Sequence, residues 1–404
     1  MNILLCPLSD GGYLYPAIAV GRELARRGHA VRVLGRASAA PVVADAELPF
    51  VRAEDHEGQG GYSVSRWRDG GPAQYRASLR AARLTAADVV VTSVLCHGAL
   101  LAAEALGVPA IVLGLSVHLW DYHSGGVDEP QPATSRRTRT REMLRYYHEL
   151  RAEVGLTPRS DAWPSTPLFG AGLLLRGHPS FEYPGAVLPE GVRHVGPMPW
   201  EPPADPATVA AVQEHLDRVG KPTVYVHLGR FFGGRTQWPR LSAAFTGGPY
   251  QAVVEQGRST SPAPAPEADI LLVRKRWMGP LIDRAGLVLS SGTSAPVLAA
   301  LLRGRPLGVS PNGSEQPVLA AACVRAGVGA YVTDDPGADH ETVLRSAWRD
   351  DAMRERARVL GRLLAGAEGA ARAADIVERT VSPSTPVRRG VPVDGLAVGH
   401  HERI

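Results

Sequence analysis

Ser290-Ser291-Gly292-Thr293-Ser294 form a turn of small hydroxyl residues and glycine between the apolar run Leu287 to Leu289 and Ala295-Pro296, where a helical pattern begins. Proline is tolerated at such a start because its missing N–H would have had no partner. A helix start offers free amides and a partial positive charge of about half a unit, which suits an anion such as a diphosphate. Gly292 permits close backbone approach, and the serine and threonine hydroxyls can donate to phosphate oxygens. Taken alone, the same residues also read as an ordinary capped serine turn. Trp277 follows a predicted strand among Arg274, Lys275 and Arg276. A flat aromatic beside cations suits a pyrimidine and its phosphates, with core packing as the plainer reading.

The elements that must position these residues are βα units. Ile3 to Cys6 runs into Ser9-Asp10-Gly11-Gly12, then Ala17, Val20, Leu24 and Ala25 recur at helical spacing, and Ala30 to Leu34 is β-rich. Asp88 to Val91 and Pro109 to Leu113 read as buried parallel strands around a helix from Gly98 to Leu106, and Leu173 to Arg176 and Val192 to Val195 extend the set. Gly196 to Pro206 carries five prolines and cannot continue a helix or a central strand. Beyond it the alternation restarts with Thr223 to Leu228, Gln251 to Val254, Ile270 to Val273, Leu287 to Leu289, Pro306 to Val309 and Ala330 to Val332. The expected fold is α/β, with two Rossmann-like doubly wound domains facing a central cleft where ligands sit. Its divisions are an N-terminal domain over 1–195, a proline-rich linker over 196–206 and a C-terminal domain over 207–365. A helix over 366–381 could pack back on the first domain, and 382–404 reads as a flexible tail.

Composition narrows the function. Of 404 residues 44% are apolar, enough for ordinary cores, and the net charge of +4 is too balanced for nonspecific binding of nucleic acid. Cys6, Cys96 and Cys323 lack a CxxC spacing and read as small buried hydrophobes in a reducing compartment. The start has no basic lead, and no uncharged apolar stretch of about 20 residues follows. The expectation is a cytoplasmic protein without membrane insertion.

Several stretches, in order across most of 1–380, resemble the nucleotide-sugar glycosyltransferases of the two-Rossmann GT-B architecture, closest to the family 1 natural-product (antibiotic-tailoring) type. They are Gly12-Tyr13-Leu14-Tyr15-Pro16 with Arg26 to Val31, then Phe181-Glu182-Tyr183-Pro184 and His194-Val195-Gly196-Pro197. In the second half come Arg276-Trp277, Ser290 to Pro296, Gly304-Arg305-Pro306 and Glu315-Gln316. The resemblance implies Trp277 on the base, Ser290, Ser291, Gly292, Thr293 and Ser294 on the diphosphate, and Glu315 and Gln316 on donor-sugar hydroxyls. Gly229-Arg230 stands where the family has Gly-Ser, and Arg230 or Arg235 could reach the diphosphate, while Arg276 joins the donor set beside Trp277. Gly12 completes the donor set. The implied activity is inverting transfer of a sugar from a dTDP- or UDP-sugar to a small acceptor held by the N-terminal loops. Ala299, where UDP-glucose enzymes keep a Glu for the ribose, tilts the donor toward dTDP. No DxD motif is present, so neither a metal nor any other cofactor is expected beyond the nucleotide-sugar co-substrate.

The chain departs from this pattern at the general base. The family's His and its orienting Asp are here Tyr13 and Ser93, and an ordinary Tyr titrates near 10, far from the value of about 7 that suits a base. Asp10, His97, His118 and Asp121 are the other candidates beside Tyr13. A metal held by His118, Asp121 and His123 would need ligands hard to orient on one short loop. Arg136, Arg137, Arg139 and Arg141 read as a solvated basic stretch preceding a helix, or as contacts to an acidic acceptor or the donor phosphates. The missing dyad leaves two alternatives: a non-catalytic or auxiliary homologue, and a sugar-nucleotide epimerase or hydrolase. A homodimer is compatible with the sequence.

Overall fold

The computed structural model describes residues 1–53, 70–130, 132–158, 166–227, 234–255, 265–273, 278–311, 313–332 and 340–381. Among these residues the first sheet takes β1 (Asn2–Cys6), β2 (Ala30–Gly35), β3 (Phe50–Arg52), β4 (Val89–Ser93), β5 (Ala110–Leu113), β6 (Gly172–Leu175) and β7 (Val192–His194) in the order β3-β2-β1-β4-β5-β6-β7. The second takes β8 (Thr223–His227), β9 (Gln251–Glu255), β10 (Ile270–Val273), β11 (Ala285–Ser290), β12 (Leu307–Val309) and β13 (Gly329–Tyr331) in the order β10-β9-β8-β11-β12-β13. Neighbouring strands run parallel throughout. Parallel neighbours need crossovers, which put helices on the sheet faces, so the strands are apolar on both sides. Leu4, Leu5, Val89, Val91, Ile111, Leu173 and Leu174 accordingly expose no surface. The sequence pattern misses β3, whose three residues lie at a sheet edge and carry no fully buried side chain to mark them.

Strand order reverses between β1 and β4 in the first sheet and between β8 and β11 in the second. The loops flanking such a reversal part at the carboxyl ends of the strands and leave a crevice. In the first sheet this crevice lies between the turns that start helices Gly11–Arg26 and His97–Leu106; in the second, one wall is the turn that starts helix Ser294–Leu302.

The C-terminal helix Gly369–Val381 packs against helix Gly11–Arg26. Arg27 reaches Asp375 at 2.6 Å and Glu378 at 2.7 Å, and His29 Nε2 lies 2.8 Å from Glu378. Ala373, Ala374 and Val377 are fully buried in the same apolar cluster as Ile3, Leu5 and Val33. Gly369 starts the helix against the linker: a Cβ there would lie 2.2 Å from the Pro197 carbonyl oxygen and 2.3 Å from that of Gly196. Backbone would have to yield, so Gly369→Ala is expected to lower stability by about 1–3 kcal/mol, read as a shift in denaturant midpoint at constant m-value.

Candidate active site

β11 delivers the hydroxyl turn to helix Ser294–Leu302, whose N-cap Thr293 is extended and makes no side-chain cap. Gly292 adopts φ +82°, and a Cβ on it would lie 3.1 Å from the Gln316 carbonyl oxygen, so both conformation and close approach call for glycine. The Gly292 amide donates to Ser290 Oγ at 3.1 Å. Ser291 Oγ and Thr293 Oγ1 are buried without a partner. Burying a hydroxyl unpaired costs about 1–3 kcal/mol, and these two are the donors an anion on this turn would use.

Glu315, which the resemblance would place on donor-sugar hydroxyls, is turned inward. It is 7% exposed and folds beneath the neighbouring helix, where the Ser294 amide donates to Oε1 at 2.7 Å and Ser294 Oγ donates to Oε2 at 3.2 Å. The physical reason is the pull of a helix amino end on the nearest carboxylate. Burial pushes the Glu315 carboxyl above its ordinary value, against the Ser294 amide, Arg176, the Ser294 hydroxyl and Arg139. Gln316 is also buried, and its Oε1 accepts from the Gly313 amide at 3.3 Å. Neither side chain presents an open face to a sugar in this arrangement.

The two domains meet at this turn. The Ser116 amide, just beyond β5, donates to Ser294 Oγ at 2.9 Å. Arg139 donates to the carbonyl of Leu119 at 2.9 Å and to that of Ser314 at 3.2 Å. Arg325 reaches back to the carbonyls of Phe181 and Glu182 at 2.9 and 3.1 Å. Arg176 follows β6, is 4% exposed, and donates from Nε to the Gly114 carbonyl at 2.8 Å. Burial pushes its guanidinium below the ordinary arginine range, opposed by the Glu315 carboxylate and then by Tyr13, both of which lie within electrostatic reach. Tyr13, Arg176, Ser116, Ser294 and Glu315 thus gather where the carboxyl ends of both sheets face each other. Sequence reasoning missed Arg176 and Ser116 as site residues. The available signal was an arginine closing the apolar run Leu173-Leu174-Leu175, at the strand end where ligands of such sheets sit.

The candidate bases separate into two groups. His97 is 6% exposed and burial pushes it down to about 3; its ring meets Tyr147 edge-on at 5.8 Å. His118 is fully buried within an aromatic group of Trp120, Tyr122 and Phe169 and is pushed down to about 4, chiefly by burial. Its Nε2 meets the Asp121 carbonyl at 3.1 Å. Both imidazoles are enclosed by protein and neutral at physiological pH. Tyr13 and Asp10 sit at the amino end of helix Gly11–Arg26, with the Tyr13 amide donating to the Asp10 carbonyl at 2.8 Å, and Asp121 lies in the loop after β5. A Cβ on Gly12 would meet nothing within 4 Å, so the helix start is open there. Ser93 is 1% exposed, its Oγ accepting from the Leu8 amide at 3.1 Å and lying 3.3 Å from Cys96 Sγ, a structural role that orients no base.

The basic stretch also differs from its expectation. Arg136, Arg137, Arg139 and Arg141 lie within helix Pro132–Glu153, and Arg136 is 2% exposed rather than solvated, because Glu129 pairs with it at 2.6 Å. Arg137 and Arg141 remain exposed. Gly229, Arg230, Arg276 and Trp277 lie outside the described residues, as does the tail from 382. Among the described residues no group of three or more His, Cys, Asp and Glu could hold a metal ion, and no helix is long and apolar enough to cross a membrane.

Two parallel sheets with helices on their faces and their carboxyl ends opposed define a two-domain α/β protein of the GT-B fold. Its similarities are to glycosyltransferases of natural products. The sequence is 27% identical over 372 residues to 4'-demethylrebeccamycin synthase of Lentzea aerocolonigenes, covering 82% of this chain and 87% of that one. Among solved structures, the glycosyltransferase of kitacinnamycin matches with a TM-score of 0.73 at 19% identity, over 94% of this chain and 99% of that one. The Streptomyces sp. SF2575 glycosyltransferase SsfS6, complexed with thymidine diphosphate, matches with a TM-score of 0.64 at 18% identity, over 94% and 99%. No protein-family profile matches the sequence.

Proposed function

We propose that this chain is an inverting, metal-independent glycosyltransferase that moves a sugar from a dTDP- or UDP-sugar to a small natural-product acceptor in the cytoplasm. The observation that carries the reading is the amino end of helix Ser294–Leu302 facing the N-terminal strand ends, with Ser116 and Arg176 opposite. The second domain would hold the nucleotide, with Trp277 and Arg276 at the base and Gly229, Arg230 and the 290–294 turn at the phosphates. Loops of the first domain would hold the acceptor. An acceptor oxygen attacks the anomeric carbon from the face opposite the leaving group; its bond forms as the bond to the diphosphate oxygen breaks. The nucleoside diphosphate leaves with the electron pair, and its new charge meets helix amides, hydroxyls and the Arg176 guanidinium, which do not reorganise during the step.

The acceptor proton passes to a base at the amino end of helix Gly11–Arg26 or in the loop after β5, where Tyr13, Asp10 and Asp121 stand. His97 and His118 are too enclosed and too weakly basic for that task. The similarities speak for transfer over epimerisation or a non-catalytic role. Titration calorimetry with thymidine diphosphate and uridine diphosphate tests the reading. At least one is expected to bind with a dissociation constant between about 1 µM and 1 mM, the usual span for enzyme substrates, and more weakly to Trp277→Ala. Absence of binding by both nucleotides to the folded protein overturns it.

A further inference from the structure

Both oxygens of Glu315 are committed to Ser294, one to its amide and one to its hydroxyl. The carboxylate therefore sits on the amino end of a nine-residue helix, where an incoming diphosphate would have to place an oxygen. The turn nonetheless offers more donors than a carboxylate can use, since Ser291 Oγ and Thr293 Oγ1 stay buried and unpaired beside it. The nearby cation Arg176 comes from the other domain and is anchored by Nε to Gly114. Ser294 Oγ accepts from Ser116 across the cleft while donating to Glu315.

We propose that Glu315 is an internal stand-in for the donor phosphate: it holds the helix amino end through Ser294, and it must swing away when the diphosphate arrives. The inference rests on the transferase reading above. In the exchange Ser294 keeps its bond from Ser116 and turns its own proton from carboxylate to phosphate. Ser291 and Thr293 gain the acceptors they lack, and the Arg176 charge, which already acts on Glu315 from the other domain, favours the phosphate that replaces it. Two anions cannot share this end of the helix, so Glu315 sets a threshold on donor affinity and keeps the site ordered between turnovers.

Calorimetry on Glu315→Gln separates this from a role on the sugar, because thymidine diphosphate has no transferred sugar. The amide preserves shape and one of the two acceptors but removes the competing charge, and its NH2 would face Ser294 Oγ as a donor. Thymidine diphosphate is then expected to bind about ten-fold more tightly than to the unmodified protein, while thymidine binds both equally. Unchanged or weaker binding of thymidine diphosphate to Glu315→Gln, with binding to the unmodified protein intact, overturns this proposal and leaves the transferase reading standing. Arg176→Gln is expected to lose about ten-fold toward thymidine diphosphate and nothing toward thymidine. Equal affinities in that variant, whatever its thermal stability, would assign Arg176 to structure and contradict the exchange.

Discussion

Lowering the pH from 6.5 to 5 is expected to cost the fold several kcal/mol, well before ordinary carboxylates titrate. His97 and His118 are held far below the ordinary histidine value of 6.5, at about 3 and about 4, by burial. An unfolded chain takes up protons there that the native protein refuses. The stabilising contribution of each is complete above about pH 6.5 and declines as the pH falls toward its folded value. Two such groups give a slope of about 2.7 kcal/mol per pH unit. Urea midpoints measured from pH 7.5 to 5 should therefore drop steeply, and His97→Gln with His118→Gln should flatten the profile. A level profile in the unmodified protein over that range would refute the assignment.

Arg136→Met is expected to be among the most damaging single changes, at about 3–5 kcal/mol. The Arg136 guanidinium donates to both oxygens of Glu129, at 2.6 and 3.1 Å, and to the carbonyl of His118, with both partners nearly inaccessible. Its plane also covers the Tyr122 ring at 4.3 Å. Removing the cation strands a buried carboxylate and an unpaired carbonyl, whereas removing both charges strands only the carbonyl. Arg136→Met combined with Glu129→Leu should recover most of the loss, which chemical denaturation of the two variants measures. Equal losses in the single and double variants would show that the ion pair is not the source. The loop after β5 carries the candidate acceptor contacts, so the single change should also weaken whatever this loop binds.

The central strands were legible because both of their faces are covered, and a continuous apolar run needs no partner to be recognised. Leu4-Leu5, Val89-Val90-Val91 and Leu173-Leu174-Leu175 announce themselves in this way. The helix start after β11 was legible for a related reason, since Gly292, the hydroxyl residues and Pro296 state the local backbone chemistry. What was not legible depends on partners distant in the chain. Arg136 looks solvated until Glu129 and the His118 carbonyl enclose it, and Glu315 looks like a surface residue until Ser294 is found above it. Arg176 reads as the end of a strand, and only the opposing domain gives its charge a destination. Burial of a polar group is decided by tertiary neighbours, so sequence spacing alone points to the wrong environment for these residues.

The C-terminal helix has a mechanical consequence. The chain crosses between its halves twice, once at the proline-rich segment and once near residue 367, and the two crossings touch: a Cβ on Gly196 would lie 2.4 Å from that of Ala367. Adjacent crossings tie the halves at a single place, so any rearrangement of one half against the other has to be absorbed there by the proline-rich segment and the residues before the C-terminal helix together.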